Sequence, residues 1–232
     1  MTKYLSRVAV AVRGRLSPAR RARRRREGLV GPMGYWEPLQ AYQFGFVKGK
    51  GLKPHHSLLD VGCEPLQGGV RFIEYLEPGG YVGTDVNVAP LAEGYKQIVE
   101  EGLVHKNPTL IRTDSFGEAE LGPRTFDFIW ASQIIYHLSP ENLEMLLRRM
   151  AGRMKPTSAF YGDVIDPRQD DPPPASWHEF KWYRHKLDRL QELSARAGLQ
   201  MAILGPLGEL GYPRQVSMRT NTMLEFTLLG DT

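Results

Sequence analysis

From residue 56 to the C terminus, short runs of β-branched and aromatic residues alternate with stretches of helical periodicity. That alternation restricts the chain to an α/β fold built on a parallel sheet. Leu58-Leu59-Asp60-Val61 reads as a buried strand, and Val70, Ile73 and Leu76 then share one helical face until Pro78-Gly79-Gly80 stops it. Tyr81–Thr84 begins the next strand, a helix over 89–102 comes after it, and Thr109–Arg112 and Phe126–Ala131 are the third and fourth strands. Ser139 is placed to cap a helix with Pro140 at its first position and Leu143, Leu146, Leu147 and Met150 as its apolar stripe. Thr157–Asp163 is a fifth strand, residues 178–197 a long amphipathic helix ending at Gly198, and 200–204 and 222–229 two final strands. The expected architecture is a doubly wound, mostly parallel seven-stranded sheet with an antiparallel edge strand.

Composition agrees with such a core. The chain has 232 residues, 41% of them hydrophobic and 24% charged, which excludes a disordered polymer. The single cysteine, Cys63, rules out a disulfide framework within the chain and suits a reducing, cytoplasmic compartment. No apolar run approaches the roughly 18 residues that span a bilayer, so the expectation is a soluble protein. Charge is unevenly distributed. Ten of the thirty basic residues, but one of the twenty-six acids, fall in residues 1–30, so the rest of the chain carries twenty basic against twenty-five acidic residues. We therefore divide the chain into a basic arm, 1–33, and a domain, 34–232. The repelling block Arg20–Arg26 predicts a mobile arm unless it meets an anionic partner. A solvated tail or subunit contact, an anionic surface or nucleic acid, and a targeting role all stay open for it.

In a doubly wound sheet, ligands bind beyond the carboxyl ends of the strands, so the residues just past each strand carry the chemistry. After the first comes Gly62-Cys63-Glu64-Pro65-Leu66-Gln67-Gly68-Gly69; after the second, Asp85 with Asn87 nearby. After the third comes Asp114-Ser115-Phe116, and after the fourth Ser132-Gln133 leading to Tyr136-His137. A glycine turn lets the backbone approach a ligand, and an acid at the tip of the next strand suits a ribose diol. GCEPLQGG does not fit G-x-G-x-x-G, and no phosphate-binding lysine comes after it, so nicotinamide and nucleoside triphosphate sites are not supported.

Over residues 35–230 the chain resembles the class I S-adenosylmethionine-dependent methyltransferases. The resemblance rests on LLDVGC with GG a few residues later, on YVGTD, on RTD, on FDFIWASQIIYHLSPE and on MKPTSAFYGD. It implies that Asp60, Gly62 and Cys63 meet the methionine end of S-adenosylmethionine, Asp85 the ribose and Asp114 the adenine. Glu64, Gly68, Asn87, Ser115 and Gln133 complete the implied cofactor set. Where relatives read GCG, this chain reads Gly62-Cys63-Glu64. Glu64 is then a residue that points outward, one that accepts a bond from the cofactor's ammonium, or the mark of a weakened site.

The implied reaction is methyl transfer to an oxygen or nitrogen of a small molecule, with alignment as the main task and a base needed only if the acceptor sheds a proton. His137 is the candidate base. Trp36, Tyr136, Asp163, Trp177, His178 and Tyr183 are candidates for the acceptor pocket, several of them within the segment 170–190 after the fifth strand. Phe180 and Tyr183 also read as the core face of the helix, and His178 and His185 as structural. No HxxxH or cysteine-rich spacing suggests a metal site. Two other readings stand beside this one: an RNA or protein methyltransferase that uses the arginine arm, and a catalytically silent partner protein. The fourth strand ends in Ala131-Ser132-Gln133 rather than the Asn-Pro-Pro-Tyr type of motif, which argues against base-amine methylation.

Overall fold

The computed structural model describes residues 17–30, 32–117, 119–165 and 182–230. Seven strands form one sheet: β1 (Leu58–Val61), β2 (Tyr81–Asp85), β3 (Thr109–Arg112), β4 (Phe126–Ala131), β5 (Met154–Val164), β6 (Leu199–Pro206) and β7 (Thr222–Leu228). Their order across the sheet is β3-β2-β1-β4-β5-β7-β6. The first five are parallel, with Leu59 opposite Val82 on one side and Ile129 on the other. The antiparallel component lies at the β6 edge, where β7 runs against both β5 and β6. The order reverses between β1 and β4, which opens a crevice at their carboxyl ends.

Strand pleat divides the core. Leu58, Phe128 and Trp130 face α2 (Trp36–Gly49), α3 (Gly69–Tyr75) and α4 (Val88–Glu100), whereas Leu59, Val61, Ile129 and Ala131 face α5 (Pro140–Ala151) and α6 (Leu187–Arg196). Burial on both faces explains why β1 and β2 read as continuous apolar runs rather than alternating ones. Ser139 caps α5, its Oγ accepting the Asn142 amide at 3.3 Å with Pro140 at the first helical position. A cap of this kind stabilises by about 1 kcal/mol.

Residues 36–49 form the helix α2, with Tyr42 and Val47 in the core, and two later elements differ from expectation. β5 starts at Met154, earlier than Thr157, because a register shift opposite Phe126/Phe128 absorbs Pro156; Ser158 Oγ bridges it, donating to Phe126 O at 2.5 Å. The long helix expected over 178–197 is the shorter α6. Residues 182–186 instead run extended along the loop after β4, where the Tyr183 amide donates to Tyr136 O at 2.8 Å and His185 Nε2 donates to Leu138 O at 3.1 Å. The expectations for Trp177, His178 and Phe180 lie outside the described residues.

The arginine block is α1 (Pro18–Val30), a docked helix whose anionic partners belong to the same chain. Arg25 reaches Glu93 at 2.7 Å and Arg26 reaches Glu100 at 2.5 Å, both on α4, while Arg23 pairs with Glu37 of α2. Ala22 and Val30 of α1 are buried against the domain. Among the described residues, no helix is long and apolar enough to cross a membrane.

Candidate active site

Two cavities that share Gly62, Glu64 and Gln133 in their walls lie at the carboxyl ends of β1, β2 and β4. The larger, about 280 Å³, is mainly apolar: Val61, Val86, Phe116, Ile134 and Leu138 line it, with Asp85, Asn87 and Thr113 as polar points. The smaller is polar and is walled by Asp60, Cys63, Gln67, Gly68 and Ser132. The C-terminal end of α1 contributes Leu29 to the first and Val30 to the second.

The β1 loop is shaped by what it must pass. Gly62 sits at φ 71°, where a side chain is strained, and a Cβ there would fall 2.1 Å from Ile134 Cδ1 and force that side chain to shift. Glu64 adopts φ 52°, the left-handed conformation that a glycine takes without strain. Its amide donates to Asp85 Oδ2 at 3.1 Å, while Asp85 Oδ1 accepts the Asn87 amide at 2.8 Å. Asp60 Oδ2 accepts the Tyr81 hydroxyl at 2.7 Å. Among the described residues nothing donates to the Glu64 carboxylate, which lines both cavities.

Three carboxyl groups therefore crowd one place. Burial pushes Asp60 up to about 7, the Tyr81 bond opposing and the Asp85 charge reinforcing the rise. Burial also lifts Glu64 well above the usual carboxylate range, helped by Asp85 and Asp60. Asp85 rises for the same reason, with its amide bonds from Asn87 and Glu64 offsetting part of it. Such a group of carboxyls is matched to a cation rather than to an anion.

Beyond β4, a second network fixes the cavity wall. Asp163, fully buried at the end of β5, accepts the Gln133 amide at 2.6 Å and Asn221 Nδ2 at 2.8 Å. Burial pushes Asp163 up to about 6 despite those bonds. Gln133, held at φ 58°, donates through Nε2 to the Tyr212 hydroxyl and accepts from the Tyr136 hydroxyl at 3.4 Å. His137 closes the short 3-10 turn Ile135–His137 and lines the larger cavity, with the Trp182 ring edge-on at 5.7 Å.

Of the residues singled out in the sequence, Asp60, Gly62, Cys63, Glu64, Gly68, Asp85, Asn87, Gln133, Tyr136 and His137 converge on these cavities. Asp114 does not: its exposed carboxylate pairs with Arg112 at 3.2 Å, and Thr113 and Phe116 occupy the wall instead. Ser115 is likewise absent from the wall; its amide donates to Thr113 Oγ1, which organises the turn. Trp36 is buried in a cleft between α1, α2 and α4, not over the site. Asp163 lies behind the wall rather than in it, and Tyr183 is 6.0 Å from His185 in a stacked pair outside both cavities. Thr113, Gln43 and the end of α1 lie outside the runs quoted after the strands, and Phe116 and Gln67 stand inside those runs without having been singled out.

Residues 59–160 match the family described as Methyltransferase domain. No curated protein sequence matches the chain. Among solved structures, a magnesium protoporphyrin IX methyltransferase from Synechocystis with bound S-adenosylmethionine superposes with TM-score 0.63 at 15% identity, over 91% of this chain and 92% of that one. An S-adenosylmethionine-dependent methyltransferase from Clostridium acetobutylicum gives 0.64 at 11% identity, over 92% and 100%. The glycopeptide N-methyltransferase MtfA gives 0.61 at 15% identity, over 82% and 90%.

Proposed function

From a chain with the class I S-adenosylmethionine-dependent methyltransferase fold and a methyltransferase-domain match over residues 59–160, we propose an enzyme that transfers a methyl group from S-adenosylmethionine to an oxygen or nitrogen of a small molecule. The observation that carries this reading is the paired cavity at the sheet's switch point, apolar and roomy on one side, small and acidic on the other.

The residues present suit the cofactor. Gly62 leaves room for close approach, and the acidic pair Asp60 and Glu64 suits an ammonium and a sulfonium. Asp85 keeps lone pairs for ribose hydroxyls, and Val86 and Phe116 offer apolar faces to adenine. When bound, the cofactor supplies a methyl already activated on sulfur. The chain then has to orient the acceptor, exclude water, and take up a proton where the acceptor sheds one. Gln133, locked by Asp163, Tyr136 and Tyr212, is an orienting wall, and His137 is the base.

A small acceptor is favoured over RNA because three arginines of α1 are already paired with Glu37, Glu93 and Glu100. The structural relatives that act on a porphyrin and on a glycopeptide support the same class. The single cysteine, buried as a free thiol, suits a cytoplasmic setting. Calorimetric titration of the full chain with S-adenosylhomocysteine tests the reading. Binding, with about 2.7 kcal/mol of native-state stabilisation at a hundredfold excess over Kd, is the expected result. Absence of binding would move the chain to the silent-partner class.

A further inference from the structure

The polar cavity contains a donor with nothing to bond. Gln67 is 6% exposed, lines the cavity beside Asp60 and Glu64, and its Nε2 has no partner among the described residues. Chemistry fixes which end of that amide faces the cavity. The indole N–H of Trp130 can only donate, and it donates to Gln43 Oε1 at 3.1 Å. Gln43 must then turn its NH₂ away from the indole, and Nε2 donates to Gln67 Oε1 at 3.2 Å. The Gln67 NH₂ is what remains. Gly68 keeps this relay possible, because a Cβ at that position would lie 2.3 Å from Gln43 Oε1.

The first three amides of the loop are committed within the fold. Those of Gly62 and Cys63 both donate to Thr84 O, and that of Glu64 donates to Asp85. Among the described residues, no arginine or lysine lines the cavity. A zwitterionic amino-acid group entering here meets two carboxyls for its ammonium, while its carboxylate needs a donor that the backbone of residues 62–64 does not offer. An unmade hydrogen bond from a buried amide is costly, and one made to a charged acceptor is among the stronger kinds.

Resting on the cofactor reading, we infer that Gln67 is the side chain that receives the α-carboxylate of the cofactor's methionyl moiety, with Gln43 and Trp130 as positioning residues that hold its NH₂ toward it. A neutral amide does this work without adding a cation beside the ammonium.

Calorimetry with two ligands that differ only in this group tests the inference: S-adenosylhomocysteine and its decarboxylated analogue. Gln67→Leu weakens S-adenosylhomocysteine by roughly tenfold to a hundredfold, the range expected for a bond to a charged group, and leaves the decarboxylated analogue within about twofold. Trp130→Phe, which retains the ring but not the N–H, gives a smaller loss of the same selectivity. Equal affinity of wild type and Gln67→Leu for S-adenosylhomocysteine overturns the inference, as does a parallel loss of both ligands in both variants, which marks a merely structural role. If wild type binds neither ligand, the cofactor reading itself falls, and this inference with it.

Discussion

The main-chain N–H of Glu64 donates to the carboxylate of Asp85 at 3.1 Å, tying the loop after β1 to the tip of β2. Glu64 makes this bond from a left-handed backbone that glycine would adopt without strain.

Glu64→Gly should therefore raise the thermal midpoint. Relief of the positive φ contributes about 1 kcal/mol, and removing one of three crowded carboxyls adds in the same direction at neutral pH. If Glu64 serves the cofactor's cationic end, the same variant binds S-adenosylhomocysteine more weakly. Differential scanning fluorimetry with and without ligand separates the two effects. An unchanged or lowered midpoint would refute the strain argument.

The carboxyl group cluster also sets a pH dependence. Asp60 is held near 7 and Asp163 near 6 in the folded chain, above the roughly 4 of an unfolded carboxyl group. Between those values the native state binds more protons than the unfolded one, so stability of the ligand-free protein falls as pH rises from about 4 through 7 and levels off above. Midpoints measured from pH 4 to 8 should show that decline, and Asp60→Asn should flatten it. S-adenosylmethionine, bringing positive charge to the ionised form, should bind more tightly toward the upper end of the range. A midpoint that rises across the interval would contradict the assignment.

A feature was legible in the sequence where its cause is local, and hidden where its partners are distant. Leu58–Val61, Tyr81–Thr84 and Phe126–Ala131 declared themselves because strands buried on both faces are apolar throughout, and Ser139-Pro140 because capping is local. Gly62 and Asp85 were readable for the same reason: a turn and a strand tip are defined by neighbours in sequence. Asp114 misled because an acid at a strand end is equally served by a neighbouring arginine, and here Arg112 takes it. Gln67 was silent, since its meaning depends on Gln43 and Trp130, 24 and 63 positions away in the chain. The arginine block concealed a docked helix because Glu93 and Glu100 lie on α4, remote from it in sequence.

That docking yields a salt-dependent prediction. Burial pushes Glu93 up, but bonds from Lys96 and Arg25 prevail and hold it below the usual range. Since α1 carries Leu29 and Val30 into the cavity walls, Glu93→Gln should loosen the helix and weaken S-adenosylhomocysteine a few-fold, an amount in keeping with about 1 kcal/mol for a part-exposed ion pair. Raising ionic strength should weaken wild-type binding in the same sense, since exposed pairs are screened. Val30→Asp, which places a charge in the acidic cavity wall, should cost more and be insensitive to salt. Equal affinities for all three proteins would detach α1 from the cofactor site.

The proposed reading makes His137 the base for the acceptor's proton. It sits at the end of a 3-10 turn, its amide bonded to Ile134 O at 2.9 Å, and it lines the larger cavity together with Gln133. A base that removes the acceptor's proton contributes about a hundredfold or more to rate, whereas a residue that only shapes the wall changes ligand affinity. With an acceptor in hand, His137→Gln should lower kcat at least about tenfold and leave the Kd of S-adenosylhomocysteine within about twofold. A kcat within about twofold of wild type, or a fall in S-adenosylhomocysteine affinity that accounts for the whole loss, would leave His137 as part of the wall.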